Sequence, residues 1–229
     1  MKILAFDTST EWCSVALDID GAVASQSVLA GQKHSELLLP MLHGLLAEAG
    51  LTLRQLDALA IGQGPGSFTG LRIACGTAQG LAFGASLPVV EVGTLEAMAA
   101  QALAPGDVDG VVACVDARMH EVYAAVYAKT AAGIEARIGP GLFAPAQAPW
   151  PVAAGRYLGC GSGFAAYAEL LQARYAGRLV AVRPELYPHA EWIARLAADK
   201  WQAGQAVAAE AVEPLYIRDK VALKTCERR

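Results

Sequence analysis

One pattern of residues occurs twice in this chain, and the repeat limits what the chain can fold into. KILAFDT (residues 2–8) is an apolar run ending on Asp7; a short polar turn comes next, and WCSVALD (12–18) runs back. VVACVDARMHEVYAAVY (111–127) has the same order of apolar strand, terminal aspartate, polar turn and returning strand, so that Asp116 corresponds in position to Asp7. Apolar runs of this length bounded by turn residues read as strands.

The elements after each hairpin extend the repeat. In the first copy a third strand is predicted near 22–29, then a helix from Ser35, a suitable N-cap, to Glu48, closed by Gly50. Pro40 must sit in the first turn of that helix or kink it. Thr52 and Gln55 have capping-box spacing before a short helical turn. A buried strand (58–62), a helix (69–84), a strand (88–92) and a helix (Thr94–Leu103) complete the copy. The second copy has a weak strand near 134–138, then an irregular stretch over 139–155 carrying Pro140, Pro145, Pro149 and Pro151 where the first copy has a helix. Strand 156–160, helix 163–175, strand 179–183 and helix 189–203 complete the second copy. Two such units describe an α/β protein of duplicated ribonuclease-H-like lobes, the architecture of the actin-like/Hsp70-like ATPase (ASKHA) superfamily. The lobes are expected over 1–106 and 107–229. Ligands of open α/β sheets collect at the C-terminal strand ends, so a candidate nucleotide cleft comprises Asp7, Thr8, Ser9, Gly64, Gly66, Asp116, Gly159 and Gly161.

Composition removes several function classes. At 55% hydrophobic and 17% charged residues, the 229-residue chain is globular and carries more apolar surface than a monomer needs. No apolar run reaches the roughly 18 residues of a membrane span, and the N-terminus enters a strand without a signal-peptide pattern, so the expected location is the cytoplasm. Five widely spaced cysteines, without a Cys-x-x-Cys pair, suit neither a disulfide framework nor a structural zinc site. The first hundred residues hold four Lys/Arg against nine Asp/Glu, which offers no basic face to a phosphate backbone. Only the tail, with Arg218, Lys220, Lys224, Arg228 and Arg229, is locally cationic; a solvated terminus or contact with nucleic acid or a partner both account for it.

Three segments are candidates for chemistry or contact. DTST (7–10) sets a carboxylate and three hydroxyls at a strand end, suited to a metal-bound water or a phosphate oxygen, and equally to a plain turn. GQGPGSFTGLR (62–72) is a glycine loop leading into a helix, where an anion is favoured, but it lacks the Gly-Lys-Ser/Thr ending of a P-loop. GCGSGF (159–164) is a second glycine junction, for which a ligand-free tight turn serves as well. The helix after the first loop carries Gly76, Gly80 and Gly84 at four-residue intervals, which strips one ridge of side chains. Mid-helix glycines cost about 1 kcal/mol each against alanine, and close backbone packing against another helix, in this chain or a second one, is the natural offset. The preceding helix has leucines on more than one face, a surplus that suggests an intermolecular helix bundle. None of His34, His43, His120 and His189 has metal-motif spacing, and no hydrolase elbow occurs.

ILAFDTST with SVAL, GQGPGSFTGLRIACGTAQGLA, VDARMHEVY and EPLYIRDKVA, in that order, resemble segments of the bacterial TsaB (YeaZ) family of tRNA threonylcarbamoyladenosine synthesis over nearly the full length. That family is similar to the TsaD (Gcp-type) catalytic subunits, in which a His-x-x-x-His metal motif comes after the glycine loop, helix and strand. Against that pattern Thr94 and Met98 stand approximately where the two histidines would fall, and neither replaces imidazole. The resemblance implies a non-catalytic subunit that heterodimerises with a TsaD-type subunit through its N-terminal helices and works with a TsaE-type ATPase, while a TsaC-type enzyme supplies threonylcarbamoyl-adenylate for transfer to N6 of adenosine 37 in ANN-reading tRNAs. It implies a homodimer through the same helices when that subunit is absent, and tRNA contact only indirectly. The expected partner surface is Leu38, Met41, Leu42, Leu45, Arg72, Gly76, Gly80, Phe83 and Gly84, with no catalytic or metal residue and no cofactor, although ATP or ADP in the cleft remains open. The alternatives are a phosphotransferase of the sugar or acetate kinase type using Asp7, and a Gcp-like peptidase.

Overall fold

The computed structural model describes residues 1–104, 106, 108–131 and 133–218. Lys220, Lys224, Arg228 and Arg229 of the cationic tail, and Cys226, lie outside the described residues. Among those described, the strands form two sheets with the same internal order. In the first, β1 (Lys2–Asp7), β2 (Trp12–Ile19) and β3 (Ala22–Leu29) run antiparallel, and β4 (Ala58–Gly64) and β5 (Val89–Gly93) add in parallel on the far side of β1, giving β5-β4-β1-β2-β3. In the second, β6 (Gly110–Arg118), β7 (Glu121–Thr130) and β8 (Gly133–Phe143) are antiparallel, with β9 (Tyr157–Cys160) and β10 (Leu179–Arg183) parallel beyond β6: β10-β9-β6-β7-β8. The repeat legible in the sequence is thus a repeat of topology, and the chain is a two-lobed α/β protein of the ASKHA type.

Alternation along β1 shows how each sheet is sandwiched. Leu4 and Phe6, with Leu59, Ile61 and Val89, face α1 (His34–Glu48) and α2 (Phe68–Ala85) in one core. Ile3 and Ala5, with Ala58, Ala60, Val90 and Val92, face the other way, onto α6 (Ala190–Gln202) through Ile193, Ala194 and Ala197. Successive side chains on a strand point to opposite faces, so both faces must be apolar where both are covered. The second sheet is built likewise between α3 (Thr94–Leu103) on one side and α4 (Gly163–Ala166) and α5 (Ala168–Arg174) on the other.

The helices that close each lobe are exchanged. α3 comes after the first sheet but packs Leu95, Met98, Ala99 and Ala102 on the second; α6 comes after the second sheet but packs on the first, where Ala190 N donates to Ser14 Oγ at 2.9 Å. A short strand, β11 (Ala206–Val207), then pairs with the edge of β5. The expected boundary at 106/107 is corrected by this exchange: the first lobe takes back 190–212, and α3 belongs to the packing of the second.

Smaller differences have local causes. β8 runs through Gly139 and Pro140, which sequence reasoning placed in a loop; an edge strand tolerates proline because its outer N–H has no ladder partner, and the β7–β8 register slips here. The helix expected over 163–175 breaks at Tyr167 into α4 and α5. Pro40 lies inside α1, beyond its first turn and on its exposed face, where the carbonyl it leaves unbonded meets water. Residues 144–155 are irregular apart from a 3-10 turn at Pro145–Gln147 and are pinned from α5 and the turn after it: Arg174 Nε donates to Ala148 O (2.9 Å), Tyr175 Oη to Pro149 O (2.8 Å) and Arg178 Nη2 to Pro151 O (2.9 Å).

Candidate functional site

Between the lobes lies a cleft of about 1190 Å³. Ser9, Thr10 and Glu11 after β1 and Gly66–Gly70 at the start of α2 form one wall; Val115–Met119 at the end of β6, Ser162 and Ala165 form the other. The first wall is tied together by its backbone. Ser67 N donates to Ser9 O (2.7 Å), and the Thr8 hydroxyl to Gly70 O (2.7 Å). A side chain at Gly66 or Gly70 would strike this join, since a Cβ would lie 2.5 Å from Ser9 O or 1.8 Å from Thr8 O. These glycines therefore dock the loop onto β1, and Ser67 caps α2 by accepting from Gly70 N at 3.4 Å.

Asp7, expected in the cleft wall, lies beneath it. It continues the Ile3, Ala5 series and so points to the α6 face, fully buried against Gly62, where a Cβ would come within 1.8 Å of Oδ2, and near Ile193. Oδ1 accepts from Ser9 N and Ser9 Oγ, both at 2.9 Å; Oδ2 has no partner. Burial pushes the carboxyl up to about 7, against the two Ser9 hydrogen bonds that favour the ion. Asp116 differs on every count. It comes directly after Val115, which faces α3, so it points to the α4 side, a face not equivalent to that of Asp7. It lines the cleft, where it accepts from Arg118 N (2.8 Å) and Tyr167 Oη (3.2 Å), pairs with the Arg118 guanidinium (3.1 Å) and donates its own N–H to Ser162 Oγ (3.1 Å). The positional correspondence of the two aspartates is therefore overturned: a one-residue offset in a strand reverses the face.

Three other cleft candidates are packing residues, a further correction. Gly159 leaves room for Phe164 and Leu179, and Gly161, at φ +101°, sits against Met98 Cε and Cys114 O. Gly64, at φ +122°, abuts Leu215 O. Thr8 and Ser9 hold the loop as described, and of the four glycines expected in the cleft only Gly66 lines the space. Among the described residues no three His, Cys, Asp or Glu side chains gather to hold a metal ion. Nor do the residues fit the magnesium nucleotide that an ATPase fold implies: one aspartate is sealed from the cleft and the other is already paired with arginine. Sequence reasoning missed Arg218 as a cleft residue; it reaches the space from a segment whose placement depends on the tertiary fold.

The expected partner surface divides in two. Leu38, Leu42 and Leu45, only 1%, 3% and 3% exposed, belong to the core beneath α1, and Met41 packs against it; the expectation that they form a contact surface is corrected. Their i, i+4, i+7 spacing is the buried stripe of an amphipathic helix, and the outward stripe is Leu39, Pro40 and His43. On α2 the reverse holds: Ala74, Ala78 and Ala82 face the core, while Gly76, Gly80 and Gly84 are exposed with nothing within 4 Å of where a Cβ would stand. Phe83, 81% exposed, lies on the same face, and Arg72 stacks over the Phe68 ring, 4.0 Å from its centre, at the helix start. Nothing in the described residues covers this ridge.

A family model described as TsaD, tRNA N6-adenosine threonylcarbamoyltransferase, matches residues 23–226. The tRNA threonylcarbamoyladenosine biosynthesis protein TsaB of Escherichia coli is 40% identical, over 98% of this chain and 97% of its own length. The chain belongs to the TsaB family. The Haemophilus influenzae TsaB is 38% identical over 98% of this chain and 96% of its own. The structure of YeaZ from Pseudomonas aeruginosa superposes with a TM-score of 0.87 at 40% identity, over 94% of this chain and 99% of that one. A second structure, of a protein described as similar to peptidase YEAZ from the same organism, gives 0.87 at 41%. In this TsaB-family chain Thr94 and Met98 are both fully buried on α3: Met98 fills the core of the second lobe, and the Thr94 hydroxyl has no hydrogen-bond partner.

Proposed function

We propose that this chain is a partner subunit with no catalytic site of its own. It docks the exposed glycine ridge of α2 against a TsaD-type catalytic subunit and so supports threonylcarbamoyl transfer to N6 of adenosine 37 in ANN-reading tRNAs. The observation that carries this reading is the ridge itself: three glycines and Phe83 on one helix face, open to solvent, where a monomer gains nothing from glycine. The names of its relatives place them in threonylcarbamoyladenosine biosynthesis. In this reading a TsaE-type ATPase and a TsaC-type supplier of the adenylate act in the same cytoplasmic pathway, the chain uses no cofactor, and two copies pair through the same ridge when the catalytic subunit is absent.

The phosphotransferase alternative needs Asp7 in contact with substrate or metal, and its burial under Gly62 weighs against that. For the peptidase alternative, among the described residues no serine, threonine or cysteine side chain is hydrogen-bonded to a histidine. As a test, sedimentation velocity of the chain mixed with the TsaD-type subunit of the same organism is expected to give a species heavier than either protein alone. Independent sedimentation at micromolar concentrations would contradict the reading.

A further inference from the structure

After the first lobe has taken back α6 and β11, the chain crosses once more. Gln79 Nε2 donates to Val212 O (3.0 Å) and Leu215 N to Gln63 O (2.8 Å). Arg72 Nε donates to Tyr216 Oη (3.0 Å), whose ring lies 5.3 Å from that of Phe68. To this point the segment lies on the first lobe. The next two residues lie on the second: Ile217 packs against the core beneath α3, and Arg218 grips the β6–β7 turn. Its Nη1 donates to Ala117 O (2.8 Å), and its Nη2 to Arg118 O (3.4 Å) and Glu121 Oε2 (2.5 Å).

The turn it grips is strained. Arg118, Met119 and His120 have φ of +61°, +54° and +61°, in succession, a region that side chains other than glycine rarely enter. Such conformations persist where the surroundings over-determine them. A guanidinium fork reaching two carbonyls and a carboxylate does this, and its planar, always-charged form suits the task better than lysine would. The same turn carries Arg118 and Met119 into the cleft wall opposite Gly66–Gly70, and Arg218 itself lines the cleft.

We propose that residues 212–218 form a latch that holds the two lobes at their observed spacing, with Arg218 as its catch on the β6–β7 turn. The latch belongs to this chain alone and does not depend on the partner reading. Spin labels at Gln32→Cys and Ala165→Cys, one on each wall and both exposed, report the spacing by pulsed electron resonance. Cys13, Cys75, Cys114 and Cys160 are buried, and Cys226→Ser completes the background. In full-length protein, Arg218→Ala is expected to move the distance distribution outward by about 5 Å or more and to broaden it, as for a hinge released at one side. If that variant does not fold, Glu121→Gln removes the charge from the catch while leaving both carbonyls, and is expected to move the distribution in the same direction by less. An unchanged distribution in the folded variant, with faster amide exchange confined to 117–121, would overturn the proposal and leave Arg218 as a staple of the turn.

Discussion

Asp7→Asn is expected to gain stability over the native chain as pH rises, by roughly 4 kcal/mol between pH 3.5 and pH 8. The native carboxyl keeps its proton up to about 7, while the unfolded chain releases it near 3.8. Between those values folding takes up a proton. The contribution of Asp7 is therefore fully present below pH 3.8 and lost as pH climbs through the folded value, at about 1.4 kcal/mol per unit. Asparagine keeps an oxygen for Ser9 and has no proton to lose. The check is urea unfolding of both chains at half-unit pH steps, read as a difference so that groups titrating in both chains cancel. A difference independent of pH would mean that Asp7 ionises in the folded protein as it does in water, and so that it is not sealed beneath the cleft.

Gly80→Leu is expected to separate stability from binding. In the single chain the new side chain meets open space, and replacing glycine inside a helix adds about 1 kcal/mol. At concentrations where the chain is monomeric, the melting temperature should hold or rise. Against a partner whose helix approaches the bare backbone, the same leucine occupies the space the partner needs. Binding to the TsaD-type subunit, measured by calorimetry, is expected to weaken about a hundredfold or more, roughly 3 kcal/mol. Unchanged affinity would show that the ridge is not the docking surface. A melting temperature lowered even at concentrations where the chain is monomeric would show that it is packed internally.

The order of elements along the chain, the hairpins and most helices were legible because they rest on local periodicity. The repeat of KILAFDT and VVACVDA announced two lobes. Local pattern does not say which sheet a helix will cover. α3 and α6 each pack on the lobe that does not precede them, and this exchange put the boundary in the wrong place. It also hid Asp7: the alternation Ile3, Ala5, Asp7 was readable, but not that α6, some 180 residues later, closes that face. The glycine loops split for a similar reason. A glycine that admits a ligand and one that admits a neighbouring backbone look alike in sequence, and only contacts such as Gly70 with Thr8 O tell them apart. On α1 the periodicity did carry the answer, since Leu38, Leu42 and Leu45 mark one stripe; leucines on every face concealed which stripe was inward.

In the proposed reading this chain supports a transfer it cannot perform. Reconstitution by omission tests it most directly: tRNA carrying an unmodified adenosine 37 is incubated with threonylcarbamoyl-adenylate and the TsaD-type subunit, the TsaE-type ATPase and this chain, singly and together, and threonylcarbamoyladenosine is quantified by mass spectrometry. Product is expected with the full set, with a large loss when this chain is left out and none when it acts alone. Product formed by this chain alone would contradict the reading.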